Sequence, residues 1–222
     1  MEENAPAGSL PCAPRNVRAL QLPAREDVPY ASHYCEENTY KVIELLYQSC
    51  ALGDGAVFAV FISNNIKSTP VWRQRLRNGE GPVLWDYHVV ALADLPSGVE
   101  GGSSSKWVFD YDTVLPYPCE AVRYINESFH PYEQLADKYR QWFRVIPGRE
   151  YLECFASDRS HMKEATVPRP SWSPIRGRRA KGDMLLDLYI DVRPRAVEDV
   201  AEDDRWLGTV MDIKKFTQFV CA

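Results

Sequence analysis

Runs of apolar residues, separated by polar segments, predict buried β-strands along the chain. The run AVFAVFIS at 56–63 is rich in β-branched and aromatic residues, which is typical of a strand covered on both faces. Two further strands are predicted at 82–95 and 106–114, and the Gly- and Ser-rich sequence PSGVEGGSSS joins them. This connection suits a hairpin with a loop longer than the tightest turns, so we expect the two strands to pair.

Apolar residues at helical spacing predict a helix that begins at Cys35. Tyr40, Ile43, Leu46 and Tyr47 recur every three or four residues, and two glutamates follow Cys35 in the expected first turn.

Two more helices are predicted in the second half of the chain. The sequence at 130–146 carries apolar residues on one side and predicts an amphipathic helix that runs into a strand. The C-terminal sequence RWLGTVMDIKKFTQFV predicts a strand followed by a short helix, with Asp212 as its N-cap.

Irregular segments flank and interrupt this pattern. Residues 1–28 mix Pro, Ala, Asn and charged residues without periodicity, which predicts a flexible N-terminal arm. Residues 29–222 are then expected to form one folded domain that contains the candidate site. Within it, 165–183 has three prolines and clustered Arg and Lys, which predicts an exposed, irregular, basic loop.

Composition and charge narrow the class of protein. The 222-residue chain is 45% hydrophobic and 26% charged, as is ordinary for a globular protein. Its net charge of −5 argues against a nucleic-acid partner, which usually requires a basic patch. No apolar run approaches the roughly 18 residues of a membrane span, and no signal-sequence pattern opens the chain. We therefore expect a cytoplasmic protein, with a nuclear location as the alternative.

The six cysteines are spread along the chain without a C-x-x-C pair. This spacing indicates neither a zinc ribbon nor a thioredoxin-type redox site, and no metal is expected. In a reducing compartment the cysteines should be free thiols, and only one in a special environment would be a nucleophile.

His88 lies within the apolar sequence WDYHVVAL and therefore requires a partner if it is buried. If the hairpin is symmetric about Val99, His88 lies opposite Asp110, with Cβ atoms about 5 Å apart. A carboxylate at that distance can hold one imidazole N–H and leave the other nitrogen as a base. The alternatives are a different orienting carboxylate, Asp112, and a histidine satisfied by a backbone carbonyl.

Cys35 is the best candidate for a nucleophile that His88 would serve. A helix N-terminus supplies partial positive charge and free N–H groups, which favour a thiolate and can bind an oxyanion. Glu36 and Glu37 oppose the thiolate, so a charged His88 would have to supply most of the activation. A free cysteine beside a purely structural histidine–aspartate pair stays the alternative.

Several motifs in one order carry a family resemblance. These are YCEEN, AVFISN, GPVLWDYHVV, DYDTVLPYPC and FASDRSHM, and from about Tyr30 to His161 the chain resembles the protein N-terminal glutamine amidohydrolases. The resemblance implies an α/β (α+β) fold related to the papain-like and transglutaminase-like cysteine enzymes, with a mainly antiparallel sheet flanked by helices. It also implies a Cys35, His88 and Asp110 triad that needs no cofactor.

The activity implied by the resemblance is deamidation of N-terminal glutamine in proteins and peptides to glutamate. Ammonia would be released through a cysteine thioester, and the product would feed the N-degron degradation pathway. The same triad would also serve a papain-like peptidase or a transglutaminase-like acyltransferase, and a non-catalytic peptide-binding module is a third possibility. We expect a monomer that binds no membrane.

An enzyme that acts on a chain end requires a group that binds the α-ammonium. Acidic residues beside the triad are the natural candidates, and Asp86, two residues before His88, is the first choice. In the assumed register Asp86 faces Asp112 across the hairpin. Glu36 or Glu37 and, mainly from the resemblance, Ser157 and Asp158 are the other candidates.

Overall fold

A six-stranded antiparallel sheet forms the centre of the protein. The computed structural model describes residues 22–50, 52–96, 104–131, 133–162, 167–193 and 207–222. The strands are β1 (Val57–Ser63), β2 (Thr69–Val71), β3 (Val83–Trp85), β4 (His88–Leu95), β5 (Ser105–Phe109), β6 (Cys119–Glu120), β7 (Trp142–Pro147), β8 (Ala156–Ser157), β9 (Ile175–Arg176) and β10 (Thr209–Asp212). The strands of the large sheet lie in the order β10-β7-β1-β4-β5-β6, and two further two-stranded sheets pair β2 with β3 and β8 with β9.

Helices cover both faces of the large sheet, in agreement with the predicted α/β class. They are α1 (Cys35–Cys50), α2 (Ala121–Phe129), α3 (Gly148–Cys154), α4 (Leu186–Ile190) and α5 (Ile213–Cys221). Short 3₁₀ turns lie at Arg25–Asp27, Arg75–Arg77 and Asp137–Tyr139. No helix in the described ranges combines the length and the apolar character needed to cross a membrane.

The alternation of side chains along β1 and β4 separates two apolar cores. Odd-numbered residues such as Phe61 and Ala91 pack against α1, α3 and α4, whereas even-numbered ones such as Val60 and Leu92 pack against α2 and α5. Near-continuous apolar runs are typical of strands buried on both faces in this way. The buried strand predicted at 56–63 is confirmed by β1.

Arg144 on β7 is a large fully buried side chain, with 1% of its surface exposed. Its guanidinium donates hydrogen bonds to the backbone carbonyls of Tyr189 at 2.9 Å, Leu207 at 3.0 Å and Asp191. A buried charge needs such partners, and here the carbonyls come from two separate segments of the chain. Arg144 thereby holds the end of α4 and the residues just before β10 against strand β7.

The strand predicted at 82–95 is interrupted, and this corrects the prediction. Residues Val83–Trp85 belong to the small β2–β3 sheet, and β4 begins only at His88. The strand predicted at 106–114 corresponds to β5 but ends earlier, at Phe109. Each of the two strands is therefore shorter than predicted, at the end next to the candidate site residues His88 and Asp110.

The helix predicted within 130–146 is wrong. His130 has a φ of 47°, and the following segment contains only a 3₁₀ turn before β7 begins at Trp142. Trp142 and Phe143, which contributed to the apparent helical spacing, belong to strand β7 and not to the face of a helix. The helix in this region is α2, which ends at Phe129 and was not predicted.

Residues 22–28, inside the predicted arm, contact the domain. Val28 is 4% exposed, and Arg25 donates a hydrogen bond to the Leu115 carbonyl at 3.3 Å. Residues 1–21 lie outside the described residues. The described part of the predicted 165–183 loop is irregular except for β9, and its exposed arginines pair with Asp183 and Glu153.

The predicted cap of the C-terminal helix is confirmed, because the Asp212 side chain accepts a hydrogen bond from the Lys215 N–H at 2.8 Å. Replacing Asp212 by Ala should lower the free energy of unfolding by about 1 kcal/mol, measured by urea denaturation. Asp212→Asn retains a capping oxygen and should cost much less. Equal losses in the two variants would contradict the capping role.

Candidate active site

His88 is the first residue of β4 and is fully buried, with 0% of its surface exposed. Its Nε2 lies 3.1 Å from Asp110 Oδ1, and its ring stacks on Trp85 at 5.4 Å between centroids. Nδ1 is also buried, and no hydrogen-bond partner for it is found among the described residues. The imidazole is therefore held by one nitrogen and offers the other to a reacting group.

Asp110 follows the last residue of β5 and is held by several donors. Its carboxylate accepts hydrogen bonds from the Tyr124 hydroxyl at 2.8 Å, the Gln74 amide at 3.2 Å and the Asp112 N–H at 2.9 Å. Burial favours the neutral acid, but the charge and hydrogen bond of His88 prevail and lower the pKa of Asp110. Burial likewise opposes a charged His88, but Asp110 prevails and raises the pKa of His88.

The predicted partner of His88 is present, although the predicted register is wrong. The β4–β5 ladder pairs Ala91 with Phe109, two residues away from the register that places His88 opposite Asp110. Asp110 lies beyond the end of β5 and reaches the imidazole from there. A shift of two residues preserves the face of each side chain, which is why the partner was still found. The predicted pairing of Asp86 with Asp112 is wrong, because neither residue lies in a strand.

Cys35 is the first residue of α1, as predicted, and is 8% exposed. Asn38 fixes the segment before the helix through hydrogen bonds with the Ala31 backbone N–H and carbonyl, at 2.9 and 2.8 Å. The Thr39 hydroxyl, one turn into α1, donates a hydrogen bond to the carbonyl of Val89, next to His88, at 3.1 Å. The helix thus places the thiol beside the start of β4.

The surroundings of Cys35 do not favour the thiolate that its position at a helix N-terminus predicts. Burial raises the pKa of the thiol well above its ordinary value, and the Glu36 and Asp112 carboxylates raise it further. The helix N-terminus alone therefore does not ionise the sulfur at rest. An imidazole nitrogen without a hydrogen-bond partner, as His88 Nδ1 is among the described residues, can accept a proton from a thiol.

A cavity of about 380 Å³ opens beside the thiol. Its walls include Cys35, Asp86, Asp112, His33 and His161. A smaller void behind it is bounded by Cys35, Asp110 and Asp112, so the thiol and the carboxylate partner of His88 share one space. The cavity has acidic groups at its wall.

Comparison with known proteins connects this geometry with a family. Residues 30–220 match the N-terminal glutamine amidase family. A protein N-terminal glutamine amidohydrolase from Bos taurus is 41% identical over 191 residues, which cover 84% of this chain and 88% of the relative. The Homo sapiens protein of the same name is 39% identical over 199 residues, covering 88% and 89% of the two chains.

This chain belongs to the N-terminal glutamine amidase family. The resemblance that the sequence motifs carry is confirmed. The residues that match the family include α1, β4 and the DYD sequence, so the whole candidate site lies within the matched region.

The predicted substrate-binding residues of the amidase occupy different positions. Asp86 is exposed and lines the cavity. Glu36 and Ser157 are fully buried and are not among the lining residues, and Asp158 is exposed with one oxygen accepting the Ser160 N–H at 2.8 Å. Of these four residues, only Asp86 contacts the space in front of the thiol. His161 and His33, which also line it, were not predicted.

A buried ion pair supports one wall of the amidase cavity. Arg159 contacts both Glu37 carboxylate oxygens at 2.7 Å, and the Trp172 indole donates to the same carboxylate at 2.6 Å. The pair ties the chain before His161 to the first turn of α1. Arg159 lies within the FASDRSHM motif but was not predicted as a site residue, because its partner is 122 residues away.

His88, Asp110 and Asp112 form the one group of potential metal ligands in the described part of the chain, with ligand atoms within 4.8 Å of one another. The oxygens already have partners, however. Asp110 is bound to His88, and Asp112 accepts the Tyr30 hydroxyl at 2.7 Å. The prediction that the amidase uses no metal stays a prediction.

Replacing Glu37 by Gln should leave the Arg159 guanidinium buried without its counter-charge. We expect a loss of about 3 to 5 kcal/mol in the free energy of unfolding, measured by urea denaturation. The matched control is Glu44→Gln on the same helix, which removes only the partly exposed pair with Lys41. That change should cost about 0 to 1 kcal/mol. Similar losses in both variants would show that the buried pair does not stabilise the fold.

Proposed function

We propose that Cys35, His88 and Asp110 deamidate the side chain of N-terminal glutamine in proteins and peptides. The relatives are named protein N-terminal glutamine amidohydrolases, and the family match covers residues 30–220. The observation that carries the assignment of residues is the buried His88–Asp110 pair, whose carboxylate bounds the same small void as Cys35. The imidazole nitrogen without a partner is the atom that such chemistry needs.

In the first half of the reaction, the Cys35 sulfur attacks the side-chain carbonyl carbon of glutamine. The thiol proton passes to His88 Nδ1, and the N–H groups at the start of α1 are placed to stabilise the oxyanion. The imidazolium then returns this proton to the departing nitrogen, the C–N bond breaks, and ammonia leaves. The product is a γ-glutamyl thioester on Cys35 and a neutral His88.

In the second half, water attacks the thioester carbonyl and gives one proton to the neutral imidazole. The C–S bond breaks, and the sulfur leaves as a thiol after it receives that proton from His88. N-terminal glutamate and the original enzyme are formed, and the net reaction consumes one water and releases one ammonia. Asp110 holds the same imidazole orientation and stabilises its charge in both halves.

We infer from this arrangement that the fold is of the papain-like or transglutaminase-like kind. Support comes from a nucleophile at a helix N-terminus packed against an antiparallel sheet that carries the histidine. We also propose that the protein acts as a monomer in the cytoplasm or nucleus, and that its product feeds the N-degron pathway.

Asp86 is the group that we propose to bind the α-ammonium. It lines the same cavity as Cys35, and one of its oxygens accepts the neighbouring Tyr87 N–H, at 3.0 Å. An exposed carboxylate at a cavity wall can accept a charge-assisted hydrogen bond from an ammonium group. Asp112 also lines the cavity, but the Tyr30 hydroxyl already occupies one of its oxygens.

Asp110→Asn should reduce turnover on a peptide that begins with glutamine by on the order of 10³- to 10⁴-fold, measured as ammonia release. The amide can hold the imidazole but favours the wrong tautomer and cannot stabilise its charge. Asp112→Asn is the matched control, because Asp112 makes no hydrogen bond to His88 in the described structure. Near-normal activity of Asp110→Asn together with loss in Asp112→Asn would transfer the orienting role to Asp112.

Asp86→Asn should weaken kcat/KM for glutamine-initiated peptides by about 1.5 to 3 kcal/mol, the size of a charge-assisted hydrogen bond. Alkylation of Cys35 should change much less. For the unmutated enzyme, an N-acetylated glutamine peptide should be a poor substrate because it lacks the charge. If the unmutated enzyme uses the acetylated peptide poorly but Asp86→Asn is fully active on glutamine-initiated peptides, the α-ammonium binds elsewhere. Efficient deamidation of the acetylated peptide would refute specificity for the chain end.

A further inference from the structure

Two consecutive glutamates follow the proposed nucleophile, and both are fully buried, with 0% of their surface exposed. Glu37 is neutralised by the bidentate contact with Arg159. Glu36 has no arginine or lysine within ion-pair distance in the described ranges of the chain. A buried carboxylate without a cation is driven to keep its proton, so the two side chains have different chemical states despite their common position.

The contacts of Glu36 connect it directly to the thiol. Its Oε2 lies 3.8 Å from the Cys35 sulfur and accepts a hydrogen bond from the Tyr87 hydroxyl at 3.0 Å. Its Oε1 is buried without a hydrogen-bond partner among the described residues. The nearest cationic candidate is His161, whose Nε2 lies 3.6 Å from Oε1, beyond normal hydrogen-bond length.

We propose that Glu36 is a positioning residue that holds a proton beside Cys35 and thereby sets the pH range in which the thiol reacts. The proposal rests on the proposed function only in taking Cys35 as the nucleophile. In its protonated state Glu36 places no charge next to the sulfur, and it can donate its proton in a hydrogen bond to a developing thiolate. In its ionised state it places a like charge 3.8 Å from the sulfur and opposes the thiolate.

The surroundings leave Glu36 to titrate near neutral pH. Burial raises its pKa from 4.5 to about 7, against the hydrogen bond from Tyr87. Burial also lowers the pKa of His161, which disfavours a charged imidazole beside Glu36. The titratable and charged groups that face Glu36 from all packed elements are Tyr34, Cys35, Glu37, Tyr87, Tyr151, Arg159 and His161.

The test is the rate at which iodoacetamide alkylates Cys35 between pH 5 and pH 9, with peptide mapping to identify the thiol. Alkylation forms the S–C bond, releases iodide and requires the thiolate, so its rate reports thiol ionisation without turnover. Glu36→Gln keeps the oxygen that accepts the Tyr87 hydroxyl but removes the ionisable group. At pH 8 it should be alkylated at least about tenfold faster than the unmutated protein, the effect of one pKa unit on the thiol.

Two further variants sharpen this comparison. Glu44→Gln removes a carboxylate from the same helix at its pair with Lys41 and should leave the alkylation profile unchanged. Tyr87→Phe removes the hydrogen bond that lowers the pKa of Glu36, so Glu36 stays neutral to higher pH and alkylation near pH 7 to 8 should again be faster. Profiles of Glu36→Gln and Tyr87→Phe that match or fall below the unmutated profile would overturn the proposal.

Protein stability gives a second readout that does not depend on the thiol. A buried acid with a raised pKa stabilises the fold while it is protonated, and this contribution is lost as the pH rises through its folded value. The Tm of the unmutated protein should therefore fall relative to that of Glu36→Gln between pH of about 4.5 and about 7. A pH-independent difference in Tm would show that Glu36 does not titrate there and would overturn the proposal.

A failure of the role proposed for Glu36 can be distinguished from a failure of the proposed function. If glutamine peptides release no ammonia but Cys35 alkylation still responds to Glu36→Gln, the deamidation assignment fails and the role of Glu36 stands. If ammonia is released through Cys35 but the alkylation profile ignores both variants, the role of Glu36 fails and the deamidation assignment stands.

Discussion

The pairing of His88 with Asp110 is the constraint on which the arrangement of the site depends. Both side chains are almost fully buried, and neither could be without a charged or hydrogen-bonding partner. Asp110 gathers its other donors from two further regions: Tyr124 lies on α2, and Gln74 lies in the connection between β2 and β3. One carboxylate thus joins the end of the sheet to a helix on the face opposite α1. Packing on that distant face contributes to the orientation of the imidazole.

The start of α1 shows how sequence neighbours acquire different electrostatic roles. Cys35, Glu36 and Glu37 occupy one helical turn, where free backbone N–H groups stabilise negative charge. Burial works against that effect for all three residues. Among the described residues, only Glu37 receives a counter-charge, from Arg159, and this contact also holds the chain that forms a wall of the cavity. Local sequence therefore defines the turn, whereas tertiary contacts decide which of its groups carries charge.

Sequence patterns predicted the parts of this protein that depend on local periodicity. The first buried strand, the helix at Cys35 and the C-terminal strand and helix follow from residue spacing. The partner of His88 was found despite a wrong register, because a two-residue shift keeps the same face. The helix within 130–146 was wrong because β7 residues by chance matched helical spacing. Arg159 was missed because no local pattern indicates a contact with a residue 122 positions away.

The buried guanidinium of Arg144 makes one wall of the cavity depend on strand β7. It donates to the carbonyls of Tyr189 and Asp191 at the end of α4 and to the carbonyl of Leu207 just before β10. Leu186 and Ile190 of α4 line the cavity, so the wall that they form is held in place from β7. A guanidinium that lost these carbonyls would be a buried charge without partners, and α4 would lose its anchor on the sheet. A change in this strand can therefore alter the shape of the cavity without replacing any residue that lines it.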